Sequence, residues 1–569
     1  MTGMPGAHLI AFIQEVVMKN RFMRAAKMVI VSALVFTACG GGGGDNGPGS
    51  NTEAAITAFN VTDPPATGTI DETNHKIAIT LMRGTDVTAL APAVAHDGAS
   101  VSPASGAAQD FTNPVTYTVT TAGGSTQAYT VTISFKALMF ADDGDGVKLW
   151  VSDGTEAGTT LLKAISNDRG EIVSPVAMKG KAYFRANDGT NGYELWVSDG
   201  TEAGTTMVKD LNATGDGNPR RLIVMGDSLY FFATDGTHNN VLYKSDGTDS
   251  GTVPLGDVWV GDYTNEGNDP GEMTAMNGRL FFAADDGTNG RELWVSDGTS
   301  AGTRMLKNIE PEGSMSSYPD YFTAMGGKLY FSAYDGSMSP GHGYELWVSD
   351  GTEEGTVLFH DIYVGYGNPN GNPLWLKVMN GKIFFSAKDD YGQELWVSDG
   401  TAAGTKMVED IVPGSVSSGV KNIIPMNGKI FFCAYDGGTY GHELWVSDGT
   451  EAGTTMVKDI APGSGDSWPG NSPAYFTVMN GKLFFGVDDL THGCELWMSD
   501  GTEAGTRMVK DINSGGSSMV SQLFAMNGRL FFIAWDGSHG YELWASDGTE
   551  AGTTMVKNIH PFSHAFPEL

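Results

Sequence analysis

Residues 443–460 read ELWVSDGTEAGTTMVKDI, and residues 194–211 repeat them with one change, Leu for the final Ile. Close variants begin at Glu292, Glu345, Glu394, Glu495 and Glu542. The inner tetrad Ser-Asp-Gly-Thr occurs nine times, with its aspartate at Asp153, Asp199, Asp246, Asp297, Asp350, Asp399, Asp448, Asp500 and Asp547. Neighbouring copies lie between 46 residues (Asp153 to Asp199) and 53 residues (Asp297 to Asp350) apart. A repeat of about 40–50 residues rich in strand formers marks the blades of a β-propeller. Helical repeats of that length need Ala- and Leu-rich faces, and the chain has none.

One unit parses from Tyr321 into YFTAMGG, KLYFSAYDG, YELWVSDG and GTVLFHDI. Each segment is rich in Phe, Tyr, Trp, Val, Ile and Thr, and glycine-containing turns separate them. Four short antiparallel strands per unit make one blade. Blades stack face to face, which explains why KLFF and ELWV are apolar runs rather than alternations. The Leu-Trp and Phe-Phe pairs are then packing between blades. Asp-Gly has a turn role: Asp closes an Asx turn on its own backbone, and Gly supplies positive φ. The units are expected to close into one ring of eight to nine four-stranded blades, which removes exposed sheet edges. The first unit, opening at Lys136, lacks a clear innermost strand, and the tail HPFSHAFPEL is expected to supply it.

The copied segment resembles the bacterial ELWxxDGT repeat family of exported and surface-attached proteins. The resemblance covers residues 137–560 and implies architecture and exposure without a particular chemistry. Two copies depart from it: Lys148 stands for Glu in the first, and VLYKSDGTDSGTVPLGDV from Val241 is degenerate. Both departures are expected at an edge or seam of the ring.

Residues 53–135 carry strand-like runs, AAITAFNV, HKIAITLM, NPVTYTVTTA and QAYTVTIS, with no helical period. About eighty residues so spaced suit an immunoglobulin-like sandwich. The stretch from Asp86 to Thr132 is similar to Ig-like and cadherin-like domains of bacterial surface proteins, which implies a spacer. Further upstream, Lys19, Arg21, Arg24 and Lys27 precede a short apolar run from Met28 to Ala38. This is the pattern of an export signal rather than a membrane span. With Thr37, Ala38 and Cys39 it resembles a bacterial lipoprotein signal, which implies acylation of Cys39; Phe36 departs from the leucine that such signals prefer. The expected division is therefore signal peptide 1–38, Gly-rich tether 39–52, sandwich 53–135 and propeller 136–569.

Lys+Arg number 34 against 67 Asp+Glu, a formal charge of −33. Such a surface repels nucleic acid and anionic lipid headgroups, so membrane attachment is expected through the lipid anchor alone. Cys39, Cys433 and Cys494 are the three cysteines and cannot form a disulfide framework. No cofactor is expected; the nearest approach to a calcium loop is DDGDG at Asp142, Asp143 and Asp145, which lacks the distal glutamate. G-x-S-x-G, H-E-x-x-H, P-loop and paired-cysteine motifs are absent from the sequence. His342, His442, His492 and His539 fall in or beside hairpin loops at unequal repeat positions and read as surface residues.

These readings point to an exported, surface-tethered and monomeric propeller that binds or scaffolds glycan or protein ligands at the bacterial outer membrane or cell surface, without catalysis. The alternative class is an exported hydrolase or lyase acting on polysaccharide or peptide. Turns joining strands one to two and three to four are short and uniform. The other set, on the opposite face, varies: WVGDYTNEGNDPGE from Trp259, EPEGSMSSYPDY from Glu310, YVGYGNPNGNPLW from Tyr363 and APGSGDSWPGNSP from Ala461. Variable loops on a rigid scaffold carry binding. Trp259, Tyr263, Tyr318, Tyr363, Tyr366 and Trp468 are accordingly expected to line the ligand face.

Overall fold

The computed structural model describes residues 54–559, apart from residues 144, 166–174, 239, 257–271, 312–314, 337–341, 365–369, 439, 464–466 and 468–474. The expected signal peptide, Cys39, the tether and the tail after Ile559 lie outside the described residues. The described chain is all-β apart from one 3-10 turn, Glu451–Gly453.

The N-terminal strands are β1 (Ile56–Thr62), β2 (Pro65–Thr67), β3 (Thr69–Asp71), β4 (Lys76–Met82), β5 (Ala93–His96), β6 (Ser100–Ser102), β7 (Val115–Thr120) and β8 (Thr126–Asp142). They form two sheets, one ordered β2-β1-β5, the other joining β3, β4, β8, β7 and β6. Alternation decides which side chains go inside: in β4, KIAITLM, the inward residues Ile77, Ile79 and Leu81 are buried and the residues between them are exposed. They meet Ile56, Phe59 and Val61 of the facing sheet, with Tyr117 set edge-on to Phe59 at 4.9 Å. This is the expected sandwich. β8, however, does not stop at residue 135. It continues unbroken to Asp142, and its second half pairs with β9 (Val147–Ser152), which pairs with β10 (Thr160–Lys163). The boundary drawn between sandwich and propeller thus falls inside a single strand.

Beyond β10 come eight four-stranded antiparallel sheets, each with its strands in sequence order. With the β8–β9–β10 sheet these make nine blades, one per Ser-Asp-Gly-Thr copy. In the fifth blade the strands are Asp320–Met325, Lys328–Tyr334, Tyr344–Ser349 and Val357–His360. The first strands of most neighbouring blades approach within 8 Å of one another, so they line the axis. The middle strands are buried on both faces: Leu346, Phe331 and Ala333 are fully enclosed, and each blade shares one apolar cluster with the next. Burying one such Phe or Leu side chain contributes about 1.5–3 kcal/mol, so the contact between blades dominates the stability of the ring.

The seam repeats the contacts found between consecutive blades. Lys458 Nζ donates to Thr506 O of the following blade at 3.1 Å, and Lys557 of the ninth blade does the same to Thr159 O of the first at 2.6 Å. Asn427 Nδ2 donates to Gly481 O at 2.8 Å; the equivalent Asn527 donates to Phe135 O, also at 2.8 Å. Phe531 and Leu543 of the last blade pack on Phe135, Ala137 and Met139 of β8. The ring is closed by these contacts. Among the described residues the first blade has no innermost strand. β4 instead pairs in parallel with β8 as far as Lys136, where the second strand of that blade begins. The degenerate third copy is not at a seam: it forms a complete sheet between the second and fourth blades, because Tyr243 replaces the tryptophan and stacks on Phe231 at 5.5 Å.

The copied turn bonds to itself. In the seventh blade Thr450 donates both its N–H and its hydroxyl to Asp448 Oδ1, at 2.9 and 2.7 Å. Gly453 N–H donates to Thr450 Oγ1 at 3.1 Å, and Thr454 Oγ1 donates to Thr450 O, leaving its own lone pair for the Ser447 hydroxyl at 2.7 Å. The same network recurs in every copy. A Cβ at Gly453 would sit 2.1 Å from Asp448 Oδ1, which explains the second conserved-in-repeat glycine by space alone. The Asx-turn reading of the tetrad holds.

Candidate functional site

The motif glutamate is the root of the variable face. Glu194, Glu292, Glu345, Glu394, Glu443 and Glu495 are fully buried in their third strands. Each reaches the chain as it leaves the fourth strand and again as it enters the next blade. Glu345 accepts from Ile362 N at 2.7 Å and Gly371 N at 2.6 Å; Glu292 accepts from Ile309 N at 2.7 Å, Ser317 N at 3.0 Å and Ser317 Oγ at 2.6 Å. A carboxyl group has two oxygens and so can accept from both ends of such a loop. Burial nevertheless dominates its titration, pushing Glu292 up to about 7 and Glu345 up to about 8 against the backbone donors that pull down. In the first blade Lys148 takes this position and pairs with Asp143 at 2.5 Å. Asp143 of the DDGDG stretch is therefore engaged by a protein cation. Among the described residues no group of three or more His, Cys, Asp or Glu is arranged to hold a metal.

The Glu292 clasp delivers Tyr318 to the fifth blade. Ser317 and Tyr318 both donate their N–H to Arg291 O, at 3.0 and 3.2 Å, and Ser317 O accepts from Tyr334 N at 2.8 Å. Tyr334 ends the second strand and Tyr344 begins the third, directly opposite in register, with ring centroids 5.1 Å apart. Met315, Ser316, Tyr318, Tyr334 and Tyr344 line an open recess of about 380 Å³. Burial, with Tyr318 and Tyr334 close by, raises the Tyr344 hydroxyl pKa, and Arg291 opposes the shift. The recess thus brings together three phenol rings, Tyr318 exposed and Tyr334 and Tyr344 half-buried.

Tyr318 holds this place against its backbone preference. Its φ is 44°, and the equivalent residues entering the third, sixth, seventh and ninth blades are Asn218, Asn372, Gly419 and Met519, at 46°, 43°, 60° and 49°. Asn and Gly tolerate the left-handed region; a tyrosine there is strained by about 1–2 kcal/mol. The side chain is 44 % exposed, so core packing does not explain its presence. Similar strand-end pairs occur on this face in the seventh blade, Tyr435 with His442 at 5.2 Å, and in the ninth, Trp535 with Tyr541 at 6.3 Å.

Of the residues expected on the ligand face, Tyr318 lines the recess. Tyr363 is half-buried at the root of the next loop and is not part of the lining. Trp259, Tyr263, Tyr366 and Trp468 lie outside the described residues. Tyr334 and Tyr344 were missed because strand residues read as packing; their flanking of a long hairpin loop was the available signal. The histidines are less scattered than the sequence suggested. His238, His342, His492 and His539 each place Nδ1 against an aspartate, Asp235, Asp335, Asp489 and Asp536, at 3.4, 2.8, 2.7 and 2.7 Å. Asn191 and Asn289 make the same bond to Asp188 and Asp286, so the histidines lock the hairpin loop as an asparagine does. Cys433 and Cys494 are free thiols, both pushed up to about 12 by burial.

Residues 56–133 match the family model for the N-terminal domain of SGBP, the surface glycan-binding proteins. No curated protein matches the chain. Similar solved structures include a puromycin hydrolase (14% identity, TM-score 0.36, covering 61% of this chain and 54% of that one). A prolyl endopeptidase is similar at 11% identity and TM-score 0.35, over 59% of this chain and 48% of that one. A puromycin-hydrolyzing peptidase of Mycobacterium tuberculosis is similar at 9% identity and TM-score 0.34, over 60% and 54%. The chain therefore spans about half the length of these structures.

Proposed function

We propose that the protein is an exported glycan-binding propeller, held at the bacterial surface by a lipid on Cys39, that captures polysaccharide on its variable-loop face. The observation that carries this reading is the recess of Tyr318, Tyr334 and Tyr344, with Tyr318 kept in a strained backbone on a loop clasped by buried Glu292. Aromatic rings stack on the apolar faces of sugars while their hydroxyls bond to the rim, and a rigid loop lowers the ordering cost of binding. The match of residues 56–133 to surface glycan-binding proteins supports the same class of ligand. In this reading the sandwich is the spacer and the ring is the receptor.

A glycan array with the exported chain tests the reading. Tyr344→Ala and Tyr318→Asn are expected to weaken binding of the retained glycan by about tenfold or more, equivalent to about 1.4 kcal/mol. Tyr318→Asn copies Asn372 at the same backbone angle and is expected to melt at or above the wild type. Wild-type affinity in both variants would move the site elsewhere, and release of new sugar ends from a bound polysaccharide would favour the hydrolase alternative. For the anchor, Cys39→Ser is expected to shift the protein from the membrane fraction to the soluble one; a wild type that is already soluble after export overturns that part.

A further inference from the structure

The innermost strands hold a second aromatic pair, on the axial side of the recess. Tyr321, on the first strand of the fifth blade, meets Trp375, on the first strand of the sixth, with ring centroids 6.1 Å apart and 55° between planes. The two strands are tied together by Thr323 Oγ1, which donates to Leu376 O at 3.2 Å. Each aromatic stands in a bulge, where the ladder skips between Asp320 and Thr323 and between Leu374 and Lys377. Both are left-handed, at φ 56° and 60°. The bulges of the third, seventh and ninth blades put Arg221, Asn422 and Gln522 at this angle, at 53°, 57° and 55°. Only in two adjacent blades among these five does the strained position carry a ring, and there the two rings meet. Trp375 is 36% exposed, so it is not a core residue that the fold demands.

Resting on the glycan-binding reading above, we infer that Tyr321 and Trp375 form a second subsite, so that the ligand is an extended, uncharged polysaccharide lying from the recess toward the axis. The first reason is continuity. Tyr318 of the recess and Tyr321 are three residues apart, at most about 11 Å along the chain, and Tyr321 passes the track to Trp375 of the next blade. The second is charge. The Asp320 and Glu272 carboxylates lie close enough to Tyr321 to raise its hydroxyl pKa, after burial, and the whole chain carries −33. Uronate or sulfated chains approaching this subsite are repelled, while a neutral sugar is not. A site for a single terminal sugar needs the recess alone; a second aromatic pair a few residues on suits a chain.

Affinity electrophoresis through gels containing laminarin, mannan, dextran, xyloglucan or polygalacturonate tests the ligand class. Retardation by one of the uncharged polymers and none by polygalacturonate is expected; preferential retardation by polygalacturonate overturns the inference, and no retardation by any polymer overturns the glycan reading with it. Oligosaccharides of increasing length cut from the retained polymer then test the track by calorimetry. Affinity is expected to rise with length, and Trp375→Asn, which installs the residue of the seventh blade, to bring long-chain affinity down about tenfold to that of short chains. Its melting temperature should not fall, since Asn accepts the left-handed angle. Equal binding of long chains by wild type and Trp375→Asn, with Tyr344→Ala still impaired, overturns the axial subsite while leaving the recess in place.

Discussion

Replacing Glu345 by alanine is expected to destabilise the ring by about 3–5 kcal/mol, measured by denaturant midpoint or melting temperature. The Glu345 carboxyl group is the acceptor for Ile362 N–H and Gly371 N–H, and it is fully buried. Alanine leaves both donors without a partner in a site closed to water, at about 1–3 kcal/mol each, and adds the void of the lost side chain. Glu345→Gln keeps one acceptor and is expected to cost less. The loop into the sixth blade begins at this clasp, so the alanine variant should also become sensitive to protease near residues 363–373. An unchanged midpoint for both variants would mean that the loop is held by other contacts.

The same residues set the pH dependence. Burial raises Glu194, Glu345 and Glu443 to about 8 and Glu292, Glu394 and Glu495 to about 7, from 4.5. A folded value above the unfolded one means that the native state holds the proton more tightly. The corresponding stability is complete below about pH 4.5 and is lost as pH climbs through about 7–8. The turn aspartates Asp297, Asp350, Asp399 and Asp448 run the other way: threonine hydrogen bonds lower them, so their contribution is present above their ordinary value and fades only in acid. Melting temperature is therefore expected to peak near about pH 5 and decline toward about pH 9.

Gly154→Val is expected to open the seam. Gly154 sits at φ 91°, and a Cβ there would stand 2.4 Å from Cζ of Phe531 in the last blade. The backbone angle alone costs a β-branched residue about 1–2 kcal/mol, and overpacking against a buried ring adds about 1–3 kcal/mol. Gly189→Val separates the two costs, because Gly189 has φ 82° and nothing within 4 Å of its Cβ position. The first variant should melt several degrees below the second and show a larger hydrodynamic radius before global unfolding. Equal melting temperatures would mean that the first and last blades are not pressed together in solution.

Much of this architecture was readable because the information is local and repeated. The Ser-Asp-Gly-Thr turn satisfies itself within eight residues, from Ser447 to Thr454, so residue type and spacing declare it. The four strands per blade follow from runs such as KLFF and ELWV set between glycines. The clasp was hidden because its partners are 17 residues away at Ile362 and 26 at Gly371, at positions that supply only backbone N–H. A charged residue recurring inside an apolar run was its one trace. The recess was half legible: Tyr318 stands in a variable loop, but Tyr334 and Tyr344 meet through strand register, which a one-dimensional reading does not display. The histidine locks were missed for a related reason, since His342 is separated from Asp335 by seven residues and His492 from Asp489 by three.

The unbroken β8 strand has a mechanical consequence. A pull applied on the sandwich and resisted by the ring meets no slack segment between them, because Thr126–Asp142 belongs to both. Its first half is gripped by seven paired positions along β4 and six along β7, and its second half by six along β9. Tension along that strand loads each ladder in shear, so its hydrogen bonds share the force together instead of parting one by one. Force entering either fold would thus pass to the other through a stiff coupling, and the chain would yield last at the junction where two folds share one strand.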